Sequence, residues 1–416
     1  MKIRFIHVVA ALQLAAFGGG ALAQPADDAA ARVGAAGVRV VADMNRFTLD
    51  LYKASVVPSE NIFLSPASVS TAVGLAYRGA KGATADELRA VFHYSSPPGD
   101  HLMASAPVLD ALDVSGDGGE LRLSNALWIQ EGVPLLPDYL ADVTAHARAG
   151  VRRVDYRADT EGARQTINQW VAASTNDRIR DLLQPNDVND RTRATLVNTI
   201  YWKGRWAAEF GTGATKIEPF TRLDGKKAPV SLMHQKASFR VLERDGVQAI
   251  QLPYAYGAVS LIVLMPKSPS ALTRFERKLT PDGLARWIGD LGVAQPRDIM
   301  LSLPRMHLEW RADLVPTLKM LGANTPFGDG SDFSGLADGD QLKVSKIIHQ
   351  AFLDVDEQGS EAAAATALSI ELTGVARKPL KPIVFRADKP FLFLLHDGRT
   401  GAILFIGRHV APAPPG

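Results

Sequence analysis

The chain has 416 residues, 46% hydrophobic and 22% charged, with 46 basic side chains, 44 acidic ones and no cysteine. This is globular composition, and near-neutrality without a dense Lys/Arg run argues against a nucleic-acid or anionic-membrane binder, which needs clustered positive charge. The missing cysteine rules out disulfides and lipid attachment to a thiol.

In chain order, Lys2 and Arg4 precede an apolar run from Ile6 to Phe17, broken only by His7 and Gln13. Ala21-Leu22-Ala23 then offers a small-x-small cleavage site before Gln24, so residues 1–23 are expected to be a signal peptide of a secreted or periplasmic protein. The run is shorter than the roughly 20 residues that span a bilayer, which disfavours an uncleaved anchor. Its loss removes two basic residues, leaving 44 against 44 acidic.

Residues 24–36 are expected to be a flexible segment. Val40, Met44, Phe47 and Leu51 then recur at helical spacing, predicting a helix over 37–53. Asn61-Ile-Phe-Leu-Ser-Pro66 predicts a short strand, and Ser68 to Tyr77 a buried helix ended by Gly79 and Gly82. Thr84 is placed to cap the next helix. Residues 94–100 and 113–119 have loop composition. Leu121, Leu123, Leu127 and Ile129 alternate with Arg122, Ser124 and Gln130 as a half-buried strand, and 161–183 has helical spacing. Leu196 to Trp202 is β-prone, and Asn198 inside it demands a hydrogen-bond partner. Further strands are expected at 249–252, 259–265, 299–303, 344–348 and 351–355, with a hairpin formed by 391–395 and 403–406. Strands follow one another without intervening helices, which indicates an α+β fold. No linker or repeat divides residues 37–411, expected to be a single domain with a tail at 412–416.

The stretch from Glu357 to Thr373 supports two readings. Its alanines, with Ser360 as cap and Glu361 in a first turn, suit a helix. Its alternation suits a strand: Ser360, Ala362, Ala364, Thr366, Leu368, Ile370 and Leu372 share one face, while Glu361 and Glu371 lie on the other.

Enzyme motifs are missing. There is no Gly-x-Ser-x-Gly elbow, phosphate loop, dinucleotide fingerprint or His-Glu-x-x-His. The nine histidines are scattered. Asp113-x-Ser115-x-Asp117-Gly118 opens like a calcium loop, but Ser124 stands where the closing glutamate belongs. Neither catalysis nor a metal is expected.

Several stretches together resemble the serpin family: Asn61–Ser68, Gly79–Glu87, Leu196–Trp206, Gln251–Tyr254 with Leu261–Pro266, Leu303–Met306, His349, Glu357–Thr366 and Asp388–Phe393. They occur in family order across roughly residues 37–411. The resemblance implies three β-sheets, eight or nine helices and an exposed reactive loop. In that family a target endopeptidase cuts the loop as substrate, and the cut loop enters the central sheet as a strand before deacylation, trapping the acyl-enzyme. The second reading of Glu357–Thr373 fits such a loop: small residues would enter first, Leu368, Ile370 and Leu372 would then bury apolar area, and no proline interrupts Glu357 to Leu372.

By the same resemblance, Glu357, Gln358, Gly359, Ser360, Glu361, Ala362, Ala363, Ala364, Ala365 and Thr366 form the hinge. Ser65, Ser68, Asn198 and His349 match a polar cluster, the shutter, beneath the sheet. Arg305, Glu357 and Trp206 match the breach at its top. Family spacing puts the scissile bond at Thr373–Gly374, with Leu372 and Arg377 as alternatives on its two sides. Trp202 stands where phenylalanine is usual, and the segment before Phe385 is longer than in many relatives. Residues 93–119 lack the basic cluster that binds glycosaminoglycan in some members, so no such cofactor is expected. The resemblance implies an inhibitory monomer; a non-inhibitory binding, storage or chaperone protein is the alternative.

Overall fold

The computed structural model describes residues 25–116, 119–147, 150–255, 257–338, 342–360 and 383–412. Helix α1 (Pro25–Ser55) leads to strand β1 (Ile62–Leu64) and helices α2 (Pro66–Gly79), α3 (Gly82–Val91) and α4 (Pro98–Leu112). Strands β2 (Val114–Gly116) and β3 (Gly119–Gln130) precede α5 (Pro137–His146), β4 (Gly150–Val154) and α6 (Thr160–Ser174). A run of strands follows: β5 (Ala194–Arg205), β6 (Lys216–Thr221), β7 (Lys227–Arg244), β8 (Val247–Pro253) and β9 (Val259–Pro266). Helices α7 (Ala271–Lys278) and α8 (Pro281–Val293), strands β10 (Pro296–Pro304) and β11 (Met306–Asp313) and helix α9 (Val315–Leu321) come next. The chain closes with β12 (Lys346–Val355), β13 (Gly359–Ser360), β14 (Ile383–Arg386), β15 (Phe391–Asp397) and β16 (Ile403–His409).

The α+β expectation holds, with two hydrogen-bonded sheets among the described residues rather than three. One has nine strands, in the order β1-β16-β15-β9-β8-β7-β10-β14 with β6 on β7. The other has seven, in the order β11-β12-β5-β3-β2 with β13 on β5 and β4 on β3. The count differs because β7 runs unbroken for 18 residues, pairing first with β6 and β10 and then, from Arg240, with β8. The sheets face each other across a core in which Phe63 stacks on Phe393 and Phe405 and meets Ile200, Leu353 and Val263 in one buried cluster.

Five local expectations need correction. Helical backbone reaches Pro25, through the stretch expected to be flexible, with a break at Gly34 (φ 68°). The helix predicted to reach 183 ends at Ser174, because Asn176 and Asp177 adopt φ 49° and 61°, a left-handed conformation these side chains tolerate. Thr84 caps nothing: α3 starts at Gly82, and the Thr84 hydroxyl instead accepts the Asp332 amide at 2.8 Å, tying down a distant loop. Within the predicted loops, Pro98 opens α4, and Val114–Gly116 folds back on β3 as a strand. The two strands expected over 344–355 are one, since the intervening His349 and Gln350 are buried with hydrogen-bond partners.

A charged cluster is buried where α1, α7 and β16 meet. Tyr52 Oη donates to Glu276 Oε1 at 2.6 Å, and Arg408 Nε lies 3.5 Å from the same oxygen. Arg408 is fully buried; beyond this ion pair its guanidinium makes one hydrogen bond among the described residues, from Nη2 to Pro58 O at 3.2 Å. Burial raises the Glu276 pKa, against the opposing pull of Arg408 and Tyr52.

Candidate functional site

The centre of the seven-stranded sheet is a seam between β5 and β12. These strands pair in parallel from Thr195–Lys346 up to Ile200–Ala351. Above that point β5 has a different neighbour: Gly204 and Arg205 pair antiparallel with Ser360 and Gly359 of β13. The chain reaches that position by a tight turn. The Asp356 carboxylate accepts the amides of Gln358 and Gly359 at 2.8 and 3.1 Å, and the Asp356 amide donates to Gly359 O at 2.9 Å. Only glycine suits position 359. Its φ is 157°, and a Cβ there would lie 2.0 Å from Gly204 O.

Glu357 is anchored beside the turn. Arg305 donates to its carboxylate from Nε at 3.0 Å to both oxygens and from Nη2 at 2.7 Å, and Thr215 Oγ1 donates to it as well. The Glu357 side chain is 4% exposed and that of Arg305 50%. Burial alone would raise the carboxyl pKa; the hydrogen bonds from Arg305 and Thr215 outweigh it and hold the pKa below the usual range. Backbone bonds reinforce the anchor: Phe210 N donates to Glu357 O, and Trp206 N to Gln358 O, each at 2.8 Å. Trp206 Nε1 donates to Asp356 O at 2.9 Å. Trp206, matched to the breach, is buried and holds this turn.

Ser360 is fully buried. Its hydroxyl lies 2.7 Å from Tyr254 Oη. Tyr254 stacks on Trp206 at 4.4 Å and meets Trp202 edge-on at 5.1 Å, so the first inward position of the stretch ends in an aromatic box. Arg305→Ala is expected to leave Glu357 with Thr215 as its one remaining side-chain donor among the described residues and to lower stability by about 1–3 kcal/mol. Trp206 emission should change as the turn loosens; an unaltered melting curve and spectrum would contradict this.

Lower in the seam, the four predicted polar residues come together. His349 Nδ1 donates to Asn198 Oδ1 at 2.7 Å, and Ser68 Oγ donates to the same oxygen at 2.6 Å. Ser65 N donates to His349 Nε2 at 3.1 Å, and Ser65 Oγ to Leu404 O at 2.6 Å. Asn198 Nδ2 donates to Asn125 Oδ1. The cluster thus joins α2, β3, β5, β12 and β16. It requires neutral His349, because a proton on Nε2 would face the Ser65 N–H.

Burial depresses the His349 pKa to about 3, and those of His101, His396 and His409 to about 4. These groups stay neutral in the fold while the unfolded chain takes up protons below about pH 6.5. Stability should therefore be full above that pH and fall as pH drops towards the folded values, by up to about 1.4 kcal/mol per pH unit for each histidine. A melting temperature unchanged from about pH 7.5 to about pH 5 would contradict this.

Glu361 to Thr366 and the candidate bond positions Leu372, Thr373, Gly374 and Arg377 lie outside the described residues, as does the 1–23 segment. Sequence reasoning missed Asn125, Thr215, Phe210 and Tyr254. Asn125 could have been found: it is an amide on the apolar parity of its strand, a position that calls for a partner. One trio has the composition of a catalytic triad: His234 Nδ1 lies 2.9 Å from Ser302 Oγ, and His234 Nε2 3.5 Å from Glu218. Arg386 already engages Glu218, and Ser302 is buried, so the group ties β6, β7, β10 and β14 together rather than presenting a nucleophile.

A family model described as Serpin (serine protease inhibitor) matches residues 42–412. A serpin-like protein of Methanosarcina acetivorans is 32% identical over 89% of this chain and 87% of its own length. Ovalbumin of Gallus gallus is 31% identical over 88% and 97%. Among solved structures, uncleaved ovalbumin superposes with a TM-score of 0.80 at 30% identity, covering 90% of this chain and all of that one. Human thyroxine-binding globulin complexed with thyroxine gives 0.81 at 26%, covering 91% and 100%. The nine helices and two mixed sheets described above, the family match along nearly the whole length and these relatives lead to one assignment: the chain belongs to the serpin family.

Proposed function

We propose that the chain is an exported suicide-substrate inhibitor of serine, or alternatively cysteine, endopeptidases, acting as a monomer without a cofactor. The observation that carries this reading is the state of the seam. Gly359 and Ser360, the third and fourth residues of the hinge, are paired on β5 at the end where β5 and β12 part. The strand that would be extended is thus already begun. The residues that would follow alternate small and then apolar side chains on the entering face, with no proline up to Leu372. Ser65, Ser68, Asn198 and His349 act as the latch that lets β5 and β12 separate. Arg305, Glu357 and Trp206 hold the hinge until cleavage. Export rests on the signal-like segment at residues 1–23.

The test is incubation with elastase-like, chymotrypsin-like and trypsin-like endopeptidases. The expected result is a complex that survives SDS, with the released peptide mapping the bond to Thr373–Gly374. Cleavage after Leu372 or Arg377 would move the bond and keep the mechanism. Clean cleavage with no complex and no rise in melting temperature would sink the inhibitory reading and favour a binding or storage role.

A further inference from the structure

A pocket of about 600 Å³ lies away from the seam, between helices α7 and α8 and the turn joining β7 to β8. That size suits a small ligand, for which pockets of roughly 300–1,000 Å³ are usual. Its floor is apolar: Trp287 and Val247 are buried there, and Phe275 is half-buried. Its rim is cationic. Arg274 and Lys278 stand four residues apart on α7, hence on one face, and Arg286 approaches from α8. All three are exposed, and none has a hydrogen-bond or ion-pair partner among the described residues. A fourth cation, Arg244, is already engaged: it lies 4.1 Å over the Trp287 ring and 2.7 Å from Asp290. Asp245 is the one acidic residue among those lining the pocket.

Like charges at this helical spacing repel one another, and among the described residues no carboxylate is paired with any of the three cations. A neutral apolar ligand would leave the three cations unmatched. An extended polyanion would leave the aromatic floor unused. We propose that this pocket binds a small amphipathic organic anion, with an aromatic or alkyl body on Trp287 and Phe275 and a carboxylate or sulfonate held by Arg274, Lys278 and Arg286. The inference is independent of protease inhibition.

The probe is anilinonaphthalene sulfonate titrated into the full chain, with dodecanoate as competitor. The expected result is saturable binding, displaced by dodecanoate, with energy transfer from Trp287 that is lost in Trp287→Phe. The combined Arg274→Gln, Lys278→Gln and Arg286→Gln variant should bind at least about tenfold more weakly. The three side chains are exposed, so the fold is not at risk, and an unchanged melting temperature would confirm that. Equal affinity in the triple variant, or equal energy transfer in Trp287→Phe, would overturn the proposal. So would binding of a sulfated oligosaccharide that dodecanoate cannot displace.

Discussion

Ser360→Arg is expected to abolish covalent trapping of a protease while leaving cleavage of the loop intact. The Ser360 side chain is fully buried, opposite Gly204 and 2.7 Å from Tyr254 Oη. A guanidinium in that aromatic box would be desolvated without a carboxylate, a penalty of several kcal/mol. The hinge would withdraw instead, and the cut loop would lack its first inward position. The ratio of SDS-stable complex to cleaved inhibitor should fall at least about tenfold, the equivalent of about 1.4 kcal/mol in partitioning. Ser360→Thr, which keeps the hydroxyl, should stay close to the parent. Undiminished complex from Ser360→Arg would contradict the entry argument, whereas absence of complex from the parent would contradict the inhibitory reading itself.

Glu276→Val is expected to be among the most destabilising single changes in the chain. It removes the carboxylate nearest the fully buried Arg408 and the acceptor of the Tyr52 hydroxyl. Stripping the partner from a buried charge costs about 3–5 kcal/mol. Joint replacement of Glu276 and Arg408 by leucine should recover much of that loss, because the uncompensated charge goes with its partner. Thermal unfolding of the single and double variants checks both statements. A Glu276→Val protein that melts with the parent would show that Arg408 finds other solvation.

The parts of the fold legible in the sequence were those whose signal is local. The alternation over Leu121 to Ile129 and the apolar run at Leu196 to Trp202 each specify a strand, and the observed strands contain them. Asn198 announced a buried partner by its type alone. What stayed hidden is tertiary. Nothing near Thr84 indicates that its hydroxyl serves Asp332, and nothing near Ser360 indicates Tyr254. Strand β7 was missed altogether, because its middle, Ser231 to Arg240, mixes exposed and buried positions without a clean period. The helix-or-strand ambiguity at Glu357 was resolved for its first residues by pairing to β5, a contact across more than a hundred residues of chain. The hinge, the polar cluster and Arg305 were reached through family resemblance, and the geometry adds the partners that resemblance did not name.

The parallel seam also imposes a sequence of events. On the inhibitory reading, a strand entering at Ser360 must part Ala351 from Ile200 before it can part the pairs below, ending at Lys346 and Thr195. The His349–Asn198 pair stands partway along that path. The first steps are contested by few bonds, and the middle of the journey by a cluster that joins five elements. Entry then behaves as a zipper with a halfway catch. Substitutions at the top of the seam should govern whether the race against the protease begins, and those at His349 or Asn198 how long a half-entered loop lingers.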